Sequence, residues 1–124
     1  MAKKLPPAKD WEARDIKDWN SHTFFAYLCD AHRQRRGIDY ISSKGIALDL
    51  TLIKRMFEQY GKEETKMFID QCLKQYTGNG RFKIASFWFM STYMKAQVMP
   101  DVQLAMQRQK QIAVEETNLD EIEF

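Results

Sequence analysis

The stretch Ile46-Ala47-Leu48-Asp49-Leu50-Thr51-Leu52-Ile53-Lys54-Arg55-Met56-Phe57-Glu58-Gln59-Tyr60-Gly61 decides the fold class. Its apolar residues Ile46, Leu50, Ile53, Phe57 and Tyr60 recur at i, i+4, i+7, i+11 and i+14, while Asp49, Lys54, Arg55 and Glu58 fall elsewhere. That is the period of a helix with one face turned inwards. Gly61 stops it, and a second stripe resumes at once through Thr65, Phe68, Ile69, Cys72, Leu73 and Tyr76. Glu63 and Glu64 stand in the first turn of this second helix, where the helix dipole favours anions. Two helices joined by one glycine must turn sharply.

Outward from this pair the helical reading continues in both directions. Upstream, Asn20 or Ser21 supplies an oxygen that caps a helix running to about Arg36, and Gly37 ends it where a residue without Cβ takes the left-handed conformation. Phe25, Leu28, Cys29 and His32 share one face of that helix. Asp10 to Trp19 is predicted as a short first helix, and Ile38 to Gly45 alternates too briefly to build a sheet, so it reads as a loop, with a short hairpin as the alternative. Downstream, Thr77-Gly78-Asn79-Gly80 is a turn. Ile84 to Met99 is apolar on nearly every side, through Phe87, Trp88, Phe89, Met90, Tyr93 and Met94, which predicts a central buried helix. Pro100 is expected to end it and to open a last, Gln-rich helix from about Asp101 to Glu115. The fold expected is therefore all-α, a compact bundle of about five helices around Ile84 to Met99. A length of 124 residues corresponds to one domain. It divides into a basic flexible leader over 1–9 set off by Pro6-Pro7, the helical domain over 10–115 and an acidic tail over 116–124.

Several classes of function find no support. The longest apolar run, Ile84 to Met90, is about a third of the roughly 20 residues that cross a bilayer, so no membrane partner is expected. The basic start has no apolar segment behind it and does not read as a secretory signal, which points to the cytoplasm. Cys29 and Cys72 sit inside apolar patterns as buried free thiols do. The chain holds no GxGxxG, GxxxxGK[ST], HExxH or CxxC. His22 and His32 are its only histidines. With Cys29 and Cys72 they could compose a zinc set, but real zinc sites show paired close ligands, and core or boundary roles account for all four. Acidic pairs such as Asp15 with Asp18 read as solvated helix surface. No catalytic residue, metal or cofactor is assigned, and the chain is read as a binding protein and not an enzyme.

The net charge of +2 conceals an asymmetry. Residues 1–110 hold all 19 Lys and Arg against 12 acids, and residues 111–124 hold five acids and no base. A basic body suits a polyanion, and nucleic-acid binders join phosphate neutralisation to base stacking. Arg33, Arg35 and Arg36 crowd the end of one helix, Lys54 and Arg55 lie on the next, and Arg81 and Lys83 flank Phe82 beside the glycine turn. These seven are the candidate phosphate contacts. The opposing account is that helix C-termini attract bases for dipole reasons and surfaces need charge for solubility.

The end of the chain, Asp120-Glu121-Ile122-Glu123-Phe124, resembles the acidic tail tip of single-stranded-DNA-binding proteins, whose terminal Phe docks in replication partners. It lacks the usual Pro before Phe and the long Gly/Gln-rich linker, and the body is unlike an OB-fold. The order from Leu50 to Tyr93 is similar to the carboxy-terminal domain of the DnaD family of primosomal proteins, which binds DNA and helps load the replicative helicase. That family carries a Tyr-x-x-x-Ile-Leu-x-x-Trp pattern on its final helix. Here Phe82-Lys83-Ile84-Ala85-Ser86-Phe87-Trp88-Phe89-Met90 has its texture but misses the spacing. Both resemblances imply a replication or recombination accessory, of a kind common in phages, whose partners are single-stranded DNA and proteins such as helicase or primase. The competing readings are a protein-only adaptor or inhibitor of a host enzyme, and a helix-turn-helix regulator on double-stranded DNA. For the last, one glycine at Gly61 is shorter than the usual turn of three or four residues.

Overall fold

Asn20 begins the first long helix for a local reason. Its side chain accepts from the Thr23 N–H at 3.0 Å, and Thr23 Oγ1 accepts from the Asn20 N–H at 3.3 Å, which satisfies two donors that a helix start leaves bare. Helix α1 spans Ser21–Arg36 and closes on Gly37 at φ 73°, with the Gly37 N–H on the Arg33 carbonyl. The computed structural model describes residues 6–76 and 86–122, with side chains as far as Val114. Within it α2 spans Ile46–Tyr60 and α3 spans Lys62–Gln75. A composite α4 follows, made of an α-helical turn Phe87–Phe89, a π-helical segment Met90–Met94 and a long α-helical run Lys95–Ile122. The described residues contain no strand, so the molecule is all-α, with four helices in place of about five.

Two differences separate the six helical segments read along the sequence from these four. The segment read as a first helix forms two 3-10 turns, Trp11–Ala13 and Ile16–Asp18, because side chains claim its carbonyls. Arg14 donates to the carbonyls of Pro6 and Asp18 at 2.8 and 2.9 Å, and Trp19 Nε1 donates to that of Arg14 at 3.1 Å. At the other end, the helix does not stop at Pro100 but runs through it. Proline lacks the N–H that would serve the Ala96 carbonyl four residues back, and here both Ala96 and Pro100 lie on the exposed side, where solvent can serve it instead. The acidic residues 115–122 therefore lie on the backbone of one long helix.

The core is built from Phe24 and Leu28 of α1, Ile53 and Met56 of α2, Phe68, Ile69, Cys72 and Leu73 of α3, and Phe87, Met90, Val98, Val102 and Met106 of α4. Helix α3 packs against all three others and is the central element. The aromatic segment read as central is buried on one side only. Phe87 and Met90 are fully covered, Trp88, Phe89 and Met94 are half-buried, and Tyr93 is 62% exposed. Its aromatic content reflects a surface as much as a core.

Two helix faces are rotated from their expected positions. Helix α1 buries Phe24, Tyr27, Leu28 and His32, leaving Phe25 and Cys29 half-buried, and α2 turns Ile46 outwards and Asp49 inwards. A buried carboxylate needs a donor. Tyr40, in the 38–45 loop, supplies it: its hydroxyl donates to Asp49 Oδ2 at 2.7 Å and accepts the Phe87 N–H at 2.9 Å. His32 Nδ1 donates to the Ile38 carbonyl at 3.0 Å, and Ser43 bonds Ser86 at 2.8 Å. The loop expectation for Ile38 to Gly45 holds, and these bonds tie that loop to α1, α2 and the start of α4.

Candidate nucleic-acid interface

The half-buried aromatics of α4 continue a chain of ring contacts that ends on a cation at either side. Arg36 at the end of α1 places its guanidinium over the Tyr76 ring, 5.4 Å from its centroid, and donates to the Leu73 carbonyl at 3.2 Å. Tyr76 meets Phe89 at 5.3 Å, Phe89 meets Tyr93 at 5.2 Å, and Tyr93 meets Trp88 edge-on at 5.7 Å. Lys44, in the 38–45 loop, closes the series with its ammonium 5.0 Å from the Trp88 ring centre. Four rings with a base at each end form one strip across the ends of α1 and α3 and the beginning of α4.

Local structure holds the strip in place. Ser86 caps α4 by accepting from the Phe89 N–H at 3.1 Å, and its bond to Ser43 keeps the Lys44 loop against that helix start. Ser91 Oγ donates to the Trp88 carbonyl at 3.1 Å. The π-helical turn Met90–Met94 adds width to the helix where Tyr93 emerges, and such turns are frequent at functional positions.

The candidate phosphate contacts are not gathered into one patch. Only Arg36 belongs to the strip. Arg33 faces the loop through an exposed ion pair to Asp39 at 3.4 Å, and Arg35 is exposed one turn away. Lys54 pairs with Glu58 along α2 at 3.9 Å, and Arg55 is exposed beside it. Among the described residues no contact joins either of these to the strip. Arg81 and Lys83 lie outside the described residues. Of the tail, the backbone of Asp120, Glu121 and Ile122 forms the last turn of α4, and Glu123 and Phe124 lie outside the described residues. Sequence reasoning missed Lys44, which no local pattern marks, and took Trp88 and Tyr93 for core because aromatic density signals either role.

His22 is exposed and His32 buried, and among the described residues no group of three His, Cys, Asp or Glu could hold a metal ion. Burial, with Asp30, Asp49 and Asp39 nearby, pushes the Cys29 thiol up to about 11, and burial alone pushes Cys72 up, so neither is a ready nucleophile. Tyr27 donates a short hydrogen bond to Asp70, which Lys66 approaches at 3.5 Å; burial and that carboxylate raise the phenol. Among the described residues no helix is long and apolar enough to cross a membrane. No family model, curated protein or solved structure matches the chain.

Proposed function

We propose that the protein is a non-enzymatic accessory of DNA replication or recombination that binds single-stranded DNA along the Arg36–Tyr76–Phe89–Tyr93–Trp88–Lys44 strip. The observation that carries this reading is the continuity of the strip, with exposed and half-exposed rings in series and a cation at each end. Unpaired bases offer π-faces that stack on aromatic side chains whatever their sequence, and bases at the ends of the platform neutralise phosphates. A duplex hides those faces, so the strip favours single strands. The one-residue Gly61 junction between α2 and α3 gives no room for the turn of a helix-turn-helix reader. Docking of helicase- or primase-type partners on the Phe-ended tail is the second part of the same proposal and rests on the sequence of residues 120–124.

The test is a fluorescence-anisotropy titration of the full chain with a labelled oligothymidylate and with a duplex of equal length. The single strand is expected to bind tighter, with affinity falling as salt rises, by a log-log slope of about −0.7 for each phosphate neutralised. Equal affinity for duplex, or no binding at low salt, overturns the proposal.

A further inference from the structure

Tyr93 touches two rings that a regular helix would not offer it together. Trp88 lies five residues before it and Phe89 four, with ring centres 5.7 and 5.2 Å away. At 3.6 residues per turn, positions five apart are rotated by roughly 140° and face different ways. The π-helical segment Met90–Met94 takes up that rotation, because its wider turn brings positions five apart into line. Tyr93, the exposed ring, is thereby set between the half-buried Trp88 and Phe89.

The neighbouring rings of the strip are not parallel. Tyr93 is inclined by 84° to Trp88 and by 47° to Phe89, and Phe89 by 59° to Tyr76. Their centres stand 5.2 to 5.7 Å apart. The bases of a stacked strand lie parallel, with a rise of roughly 3.4 Å. Bases that stack on successive rings here can keep neither that common orientation nor that spacing. A strand must give up base–base stacking to lie on the strip, and the cost grows with how strongly its own bases stack. On the single-strand reading proposed above, we infer that Tyr93 is a specificity-determining residue that splays neighbouring bases. The strip thereby selects weakly stacked pyrimidine strands over adenylate runs. Charge plays no part in the choice, because the cations Arg36 and Lys44 at its ends meet phosphates, which every sequence carries alike.

Fluorescence anisotropy of the full chain with labelled oligothymidylate, oligodeoxycytidylate and oligodeoxyadenylate of one length tests this, with Tyr93→Ala and Tyr93→Phe as variants. The wild type is expected to bind both pyrimidine strands about fivefold tighter than the adenylate strand, within the modest preferences that stacking strength sets. Tyr93 is 62% exposed, and circular dichroism confirms that each variant is folded. Tyr93→Ala should bring the ratio of affinities towards one, and Tyr93→Phe, which keeps the ring, should retain it. An adenylate strand bound as tightly as either pyrimidine strand overturns the inference and leaves the single-strand reading standing. So does a Tyr93→Ala variant that keeps the wild-type ratio, or a Tyr93→Phe variant that loses it. Absence of binding to all three strands at low salt overturns the single-strand reading, and the inference with it.

Discussion

The Tyr40 hydroxyl and the Asp49 carboxylate form a buried bond of 2.7 Å that locks a surface loop to α2, and the same hydroxyl accepts the Phe87 N–H that opens α4. Asp49 is wholly buried, and its second oxygen has no partner among the described residues. Removing the hydroxyl leaves two further buried polar groups unsatisfied. Tyr40→Phe is therefore expected to cost about 1–3 kcal/mol in urea denaturation, in the range for orphaning buried donors and acceptors. A loss below about 0.5 kcal/mol would show that water replaces the phenol there.

Stability should fall in alkali. Cys29, ordinarily 9.0, is raised to about 11 by burial and then by Asp30, Asp49 and Asp39, and Cys72, Tyr27 and Tyr40 are all raised chiefly by burial. A raised pKa means the folded state holds its proton longer than the unfolded chain. The Cys29 contribution is thus complete below 9 and is lost as pH rises towards 11. The urea midpoint should drop as pH rises from 9.0 to about 11. A midpoint that stays level across that range contradicts the burial of these groups.

Gly37 closes α1 in the left-handed region at φ 73°, and a Cβ built there meets nothing within 4 Å. Gly37→Ala should therefore cost about 1–2 kcal/mol from backbone conformation alone. Thermal unfolding measures this, and a neutral substitution would place the helix end elsewhere.

Much of the fold was legible because periodicity reports burial directly. Helices α2 and α3, the Asn20 cap, the Gly37 stop and the loop character of 38–45 follow from apolar spacing and capping chemistry. The failures share a cause: tertiary partners that no local pattern reveals. Asp49 points inwards only because Tyr40 waits for it, nine residues away in the loop. Arg14 unwinds the first segment by reaching carbonyls on both sides. Pro100 is tolerated because its side of the helix faces solvent. The strip was half visible, since Arg36 and the aromatics between Tyr76 and Tyr93 stood out in the sequence. What hid it was that a ring at a helical position looks the same whether it packs in a core or lies open to a base.

That distinction yields opposite effects on stability and binding. Trp88 is half-buried, so Trp88→Ala should cost less than the 3–5 kcal/mol of emptying a fully buried aromatic site. A chemical-denaturation loss within that full range would return Trp88 to the core.

The central claim is tested most directly by the affinity of the Trp88→Ala, Tyr93→Ala double variant for a labelled oligothymidylate, with its helical content checked by circular dichroism. Each stacked base is worth about 1–3 kcal/mol by alanine substitution. The folded double variant should therefore bind at least about tenfold more weakly than the wild type, and keep a similar salt dependence because Arg36 and Lys44 remain. A folded double variant that binds the single strand as tightly as the wild type would contradict the account.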